Sequence, residues 1–302
     1  MNTQIMNSHY HSIDAVLSHI SQAPWIKFDW IPLKQQDSVL ERAAIAITGQ
    51  LVNSDLRLKF QLDTGTPTSL LYEIPARKQL PKSLYAIADN PPSNLTIQFD
   101  GTFQDTVKFG LIKNFGDLSN SSNPFPETGT LGLDFFTNAN AGFAIDYKKQ
   151  QIYMLSSNLL GNISAQYSDS FFDYQDSHQK IKHKILLPFQ IGNIKQLAFF
   201  DTGSSMFELV VSSDLWKEIT ALNLDSPFVS QIEAEAWGNP LILLGAEVQK
   251  DIYISGRLKR LRKVYTFSQY DGPPIIGNAL FLDDVIVVDL VNRKLGMFPN
   301  AV

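Results

Sequence analysis

The chain contains no cysteine, which excludes disulfides and thiolate metal sites. Charged residues make up only 18% of its 302 residues and the formal net charge is -5, so the charge balance favours neither nucleic acid nor an anionic membrane as a partner. No apolar run approaches the roughly 18 residues of a membrane span, and the N-terminus lacks the basic start and apolar core of a secretory signal. We therefore expect a cytoplasmic protein without nucleic-acid or membrane partners.

Recognisable metal and cofactor motifs are missing as well. None of the five histidines has cysteine or acidic residues at ligand spacing, and no Gly-rich phosphate-binding pattern occurs. No histidine lies in a nucleophile motif, so a Ser-His-Asp triad has no support. We expect no metal site and no cofactor, which leaves the chemistry to ordinary side chains.

Two copies of one short motif are present instead. Asp63–Thr66 reads DTGT and Asp201–Ser204 reads DTGS, with the two aspartates 138 positions apart (201 − 63 = 138). An apolar or alternating segment precedes each copy, as expected of a strand. One Asp-Thr-Gly is typical of a capped turn, but two similarly placed copies predict a duplicated fold that brings two carboxylates together.

A second pair of matches follows in the same order. An apolar-Gly turn occurs at Leu131–Leu133 and again at Ile275–Gly277, and each precedes a strand that ends in aspartate, at Asp146 and at Asp289. The glycines are 145 positions apart (277 − 132 = 145) and these aspartates 143 (289 − 146 = 143). Similar offsets for separate motifs indicate two related halves.

Strands dominate both halves, so we predict an all-β protein with a few short helices. One predicted helix runs from Ser213 to Leu222, with Ser213 as its cap. The polar stretch 156–180 is taken as the boundary between the halves. The predicted parts are an N-terminal extension over residues 1–40, an N-terminal β lobe over 41–160 and a C-terminal β lobe over 161–302.

The extension is predicted to hold a helix over Ser12–Ile20 and a strand over residues 25–31. Two interpretations remain open. The extension could be a removable pro-segment that places Lys27 or Lys34 against the paired aspartates. Alternatively, residues 25–31 add a permanent strand to the sheet that joins the lobes, and we favour this second interpretation.

The repeated motifs resemble those of the pepsin-like aspartic proteases, over roughly residues 45–155 and 185–299. The resemblance implies two homologous, mostly antiparallel β lobes with a cleft between them, and an apolar-Gly turn packed behind each Asp loop. It also implies a monomer that binds an extended peptide or protein substrate in the cleft.

Asp63 and Asp201 are the predicted catalytic residues. Two carboxyl groups a few ångströms apart hold one proton between them, because both cannot easily ionise. The ionised member can take a proton from water and the protonated member can hydrogen-bond the substrate carbonyl. The sequence does not indicate which member is ionised.

Residues next to each aspartate have predicted supporting roles. Gly65 and Gly203 allow backbone N–H groups to approach the carboxylates closely. Hydroxyl groups at the fourth motif position can donate to the outer carboxylate oxygens, and the resemblance implies that the two motif threonines cross-link the loops. These hydroxyl residues are Thr66 and Ser204, and the threonines are Thr64 and Thr202.

The first half departs from the family pattern. Pro67 stands where the family usually has a small hydroxyl residue. The family also has a flap hairpin with a tyrosine over the cleft, but the comparable stretch, residues 95–107, contains none. Phe99 and Phe103 are the candidate flap residues, and Tyr85 lies upstream.

The sequence therefore predicts an aspartic endopeptidase that uses water as its nucleophile. Two alternatives stay open. One is a catalytically weak or inactive peptide-binding protein on the same fold, and the other is a processing peptidase of narrow specificity.

Overall fold

The structure is a computed structural model that describes residues 16–35, 37–81, 84, 93–116, 127–163, 169–170, 172–173, 184–237 and 239–299. It is mostly β, with few helices, and its strands form two large sheets. Within these ranges, no helix has the length and apolar character needed to cross a membrane.

The larger sheet has twelve strands among the described residues. In spatial order they are β10 (Asp169–Ser170), β20 (Lys294–Pro299), β19 (Asp284–Asp289), β8 (Gly142–Asp146), β9 (Gln151–Leu155), β1 (Trp25–Lys34), β2 (Val39–Leu51), β3 (Arg57–Leu62), β7 (Gly129–Leu131), β4 (Leu70–Tyr72), β6 (Gln104–Ile112) and β5 (Ser93–Phe99).

The smaller sheet has eight described strands and belongs to the second half of the chain. Its order is β11 (Phe172–Asp173), β12 (Ile185–Ile191), β13 (Ile194–Phe200), β18 (Ile275–Ile276), β14 (Leu209–Val210), β17 (Arg257–Phe267), β16 (Asn239–Ile254) and β15 (Val229–Ala236).

The helices are short. Among the described residues, the α-helices of more than one residue are α1 (residues 16–20), α2 (Glu73–Gln79), α3 (Asp134–Ala139), α4 (Ser157–Ile163) and α5 (Ser213–Thr220). The start predicted for α1 at Ser12 lies outside the described residues. For α5 the predicted cap is wrong by one position, because the Ser212 hydroxyl accepts the Leu215 N–H at 3.4 Å. This helix ends at Thr220 because Ala221 adopts a left-handed conformation.

Each half repeats the same strand order. The first half runs β2-β3-β7-β4-β6-β5 and the second runs β12-β13-β18-β14-β17-β16. Corresponding pairs also share their direction: β3 is parallel to β7 as β13 is to β18, and β4 is parallel to β6 as β14 is to β17. The additional pairings β2–β5 and β12–β16 match too. The repeat in motif spacing is therefore also a repeat in topology.

A shared part of the larger sheet joins the halves. β8 of the first half pairs antiparallel with β19 of the second, from Gly142 opposite Asp289 to Asp146 opposite Val285. Every residue of both strands is buried. Alternate side chains enter two different hydrophobic clusters, as expected of strands covered on both faces.

β1 is built into this sheet, between β9 and β2. The strand predicted over residues 25–31 is therefore confirmed, and it extends to Lys34. Lys27 is exposed and pairs with Asp29 at 3.3 Å, and neither Lys27 nor Lys34 lines the cleft that is described below. Near the predicted boundary, α4 ends at Ile163, and β10 pairs with β20 of the second half.

Candidate active site

The two Asp-Thr-Gly loops occupy equivalent places in the two halves. Asp63 directly follows β3, and its N–H donates to Leu131 O at 3.0 Å at the end of β7. Asp201 directly follows β13, and its N–H donates to Ile276 O at 2.9 Å at the end of β18. The parallel pairing of β3 with β7 and of β13 with β18 thus places each aspartate next to the apolar-Gly turn of its own half.

Each apolar-Gly turn lies behind an Asp loop at very close range. A Cβ on Gly132 would lie 2.5 Å from the Thr68 carbonyl carbon, and one on Gly277 would lie 2.0 Å from Ser204 O. No side chain fits at such distances, so glycine is required for the backbones to approach. Each half thus packs its apolar-Gly turn directly against its own Asp loop.

The two loops meet at their glycines and carboxyl groups. A Cβ on Gly65 would lie 2.7 Å from the Asp201 carboxyl carbon, and one on Gly203 would lie 2.7 Å from the Asp63 carboxyl carbon. Burial raises the pKa of Asp63 well above its ordinary value, and the neighbouring charge of Asp201 and a hydrogen bond between the two side chains raise it further. The predicted carboxyl pair is therefore brought together in the structure.

The motif threonines cross-link the loops through four hydrogen bonds. The Thr64 N–H donates to Thr202 Oγ1 at 2.9 Å, and the Thr202 N–H donates to Thr64 Oγ1 at 3.1 Å. The hydroxyls donate in turn to backbone carbonyls of the opposite half, Thr64 to Phe200 O at 3.1 Å and Thr202 to Leu62 O at 3.2 Å. Both threonines are buried. This reciprocal link fixes the spacing of the two aspartates.

Hydrogen bonds to the two carboxyl groups are not equivalent. Asp63 Oδ1 accepts backbone N–H groups from Gly65 at 2.8 Å and Thr66 at 3.2 Å. Asp201 Oδ1 accepts the Gly203 N–H at 2.8 Å, and its Oδ2 also accepts the Ser204 hydroxyl at 2.9 Å.

The hydroxyl role predicted for Thr66 is not observed. Its Oγ1 donates to Thr68 O at 3.4 Å instead of to a carboxylate oxygen. The backbone N–H of Thr66 already donates to Asp63 Oδ1. Only Asp201 thus receives a side-chain donor from its own loop.

Polar residues that the sequence reasoning missed brace the loops from behind. In the first half, Ser69 donates from its N–H and its hydroxyl to Asp134 Oδ1, at 2.8 and 2.7 Å. In the second half, Asn278 Nδ2 donates to Thr202 O at 3.2 Å, and its Oδ1 accepts the Tyr147 hydroxyl at 2.7 Å. Asp134 and Asn278 each stand just after an apolar-Gly turn. Each is a polar residue next to apolar ones, and this contrast is the sequence signal that could have identified both positions.

A cleft opens over the paired aspartates as a cavity of about 460 Å³. Apolar side chains from both halves form much of its wall, with one lysine. The lining residues are Asp63, Gly65, Thr66, Pro67, Leu70, Ile112, Lys184, Phe199, Asp201 and Trp237.

Phe99 and Phe103 do not line this cleft. Their side chains are only 1% and 9% exposed, and both rings pack against Phe135 in the core of the first half. Their hairpin turns against β1, where the Thr102 N–H donates to Trp25 O at 2.9 Å. The flap assignment is thus corrected: these rings stabilise the core and do not reach the aspartates. Tyr85 lies outside the described residues.

No protein-family model matches the chain, and no curated protein is significantly similar to it.

Proposed function

We propose that this protein is an aspartic-type endopeptidase with its two β lobes arranged as in the pepsin-like enzymes that its sequence resembles. The contact of each motif glycine with the opposite carboxyl group, at the floor of a cleft, carries the proposal. Two carboxyl groups this close share one proton. Such a pair supplies a base and an acid at one point, as peptide hydrolysis requires.

The unequal hydrogen bonds support different roles for the two aspartates. The Ser204 hydroxyl stabilises a charged carboxylate on Asp201, whereas burial and the neighbouring charge keep the proton on Asp63. In the proposed reaction Asp201 takes a proton from water as the oxygen attacks the peptide carbonyl carbon. Asp63 gives its proton to the carbonyl oxygen, which forms a tetrahedral diol.

The second step returns both groups to their starting states. The C–N bond breaks, and the leaving nitrogen takes the proton held by Asp201. A diol hydroxyl returns a proton to Asp63 as the carbonyl of the new carboxyl group forms. Protons balance over the cycle, and water supplies both the new carboxyl oxygen and the proton on the amine.

A peptide library scanned between pH 3 and pH 7 tests this function, with products identified by mass spectrometry. We expect Asp63→Asn and Asp201→Asn each to lower kcat/KM by roughly 10³-fold or more, since each removes one half of the acid–base pair. Circular dichroism should show both variants folded. Wild-type activity in either variant would refute the proposal.

A second candidate is a peptide-binding protein of the same architecture without turnover. The orientation of the Thr66 hydroxyl towards Thr68 O, next to Pro67, favours it, because Asp63 then lacks a hydroxyl donor. Titration with a statine-type transition-state mimic separates the candidates. An endopeptidase binds the mimic tightly, and a processing enzyme of narrow specificity binds it while leaving the library intact. A plain peptide binder shows no preference for the mimic over the matching peptide.

A further inference from the structure

The second half contains one hairpin for which the described part of the first half shows no counterpart. The turn between β5 and β6 and the turn between β16 and β17 correspond, because Asp100 N–H donates to Thr48 O on β2 and Ser255 N–H donates to Pro188 O on β12. From the end of α2 to that turn lie 20 residues in the first half (100 − 79 − 1 = 20), and from the end of α5 to that turn lie 34 in the second (255 − 220 − 1 = 34). The added length forms β15 and the start of β16.

The tip of this added hairpin reaches the cleft. Ala236 pairs with Asn239, which leaves a two-residue connection whose first residue is Trp237. Trp237 lines the same cavity as the paired aspartates. Its ring lies 6.5 Å from that of Tyr72 and 6.1 Å from that of Phe115, both on the first half. The hairpin therefore spans the cleft from one half to the other.

Tryptophan is uncommon at the turn position that Trp237 occupies. Its φ is 53°, in the left-handed region, where two-residue hairpin turns favour Asn, Asp or Gly and where a bulky residue is strained. The side chain is nonetheless 43% exposed. Neither turn geometry nor burial explains a tryptophan here, and strained residues concentrate at functional sites.

The middle of the hairpin is held while its tip stays accessible. Gln35, from the β1–β2 connection, donates to Glu233 O at 2.8 Å and accepts the Glu233 N–H at 3.1 Å. Ile232 and Leu243 are buried in a hydrophobic cluster against which Leu40 also packs. These contacts fix the direction in which the tip projects.

We propose that the β15–β16 hairpin covers the bound substrate and that Trp237 contacts an apolar substrate side chain next to the cleaved bond, an inference that rests on the proposed function. Leu70 and Ile112 continue the apolar wall beside it, since Tyr72 is paired with Ile112 and the Tyr72 ring meets Trp237. Large aromatic anchors in such positions dominate binding energy. The substrate class is a peptide with a bulky apolar residue at that position.

Three substitutions at Trp237 and one matched control test the proposal. Trp237→Ala and Trp237→Asn should lower kcat/KM for peptides with Leu or Phe beside the cleaved bond by roughly 30-fold, and Trp237→Phe should restore most of it. Because asparagine suits the left-handed turn, Trp237→Asn should keep or raise the Tm. Ile242→Ala removes a 57% exposed apolar side chain from the same hairpin, away from the cavity lining, and should leave kcat/KM unchanged.

Tryptophan fluorescence gives a readout that is independent of turnover. A statine-type mimic with a Leu side chain should change the emission of the wild type but leave that of Trp237→Phe nearly unchanged. A wild type that neither binds the mimic nor cleaves peptides refutes the proposed function. If the wild type binds the mimic and cleaves peptides, two results would overturn the hairpin proposal alone. One is a folded Trp237→Asn variant that is as active as the wild type. The other is the same emission change in Trp237→Phe as in the wild type.

Discussion

The two halves have one topology but use their hairpins differently. In the first half the β5–β6 turn folds back onto β1, and its aromatic residues fill the core. In the second half the corresponding β16–β17 turn also folds back, but the added β15–β16 hairpin extends over the cleft. Repeated strands therefore place the paired aspartates, and among the described residues only the second half extends a hairpin over the cleft.

The Asp loops differ in a similar way. Their backbone paths and threonine cross-links correspond, yet only Asp201 accepts a hydroxyl from its own loop. The second loop is also braced across the halves, through Asn278 and Tyr147. A symmetric frame thus holds two carboxyl groups in unequal surroundings, which suits an acid and a base.

The largest expected loss of activity comes from substitutions at the motif glycines, which the two Asp loops share. Gly65→Ala and Gly203→Ala each place a methyl group 2.7 Å from the opposite carboxyl carbon, which pushes the aspartates apart. We expect each to lower kcat/KM by about 100-fold. Gly161→Ala, with nothing within 4 Å, is the matched control and should keep full activity. A loss of activity in only one of the two variants would show that the two loops do not contribute equally to the site.

The next effect tests the brace between the halves. Tyr147→Phe removes the donor to Asn278 Oδ1, which leaves a buried acceptor unpaired. We expect the free energy of unfolding to fall by about 1–3 kcal/mol, measured by urea denaturation. Tyr153→Phe is the control and should cost less, because Gln151 is partly exposed and water can replace the lost hydroxyl. Equal losses in the two variants would argue against a special role for Tyr147.

A smaller effect tests the inequality of the carboxyl groups. Ser204→Ala removes the hydroxyl that donates to Asp201 Oδ2. We expect kcat/KM on a cleaved library peptide to fall by about 10-fold, because a charge-assisted hydrogen bond is lost. Thr66→Val removes the other hydroxyl without changing the side-chain shape and should leave kcat/KM unchanged, since that hydroxyl donates to Thr68 O. The reverse pattern would exchange the roles of the two aspartates.

The smallest effect concerns stability. The pKa of Asp63 is raised in the folded protein, so the folded state keeps a proton that the unfolded state releases above about pH 3.8. Wild-type stability should therefore fall, relative to that of Asp63→Asn, as the pH rises above about 3.8, and below that pH the difference between the two proteins should stay constant. Thermal unfolding of both proteins between pH 3 and pH 7 measures this. Parallel stability curves would contradict the raised pKa.

The sequence predicted the repeated frame because its determinants are local and duplicated. Aspartate, glycine and strand periodicity recur in the same order, and the topology follows them. The strand over residues 25–31 was also predictable from its own apolar residues.

The remaining features depend on contacts between distant residues. The brace from Tyr147 to Asn278 spans 131 positions, and nothing local marks the pair. The Thr66 hydroxyl can donate a hydrogen bond either to the Asp63 carboxylate or to Thr68 O, and the side-chain rotamer determines which acceptor it reaches. Trp237 was missed because an aromatic residue over the cleft was sought only in the first half.

The central claim is that Asp63 and Asp201 act as a pair with one shared proton. Calorimetric titration with a statine-type mimic across pH tests it most directly. We predict a bell-shaped dependence of the affinity on pH, with tight binding only while the pair carries one proton, and loss of that dependence in both Asp63→Asn and Asp201→Asn. An affinity that does not change with pH, or that survives either substitution unaltered, would contradict the account.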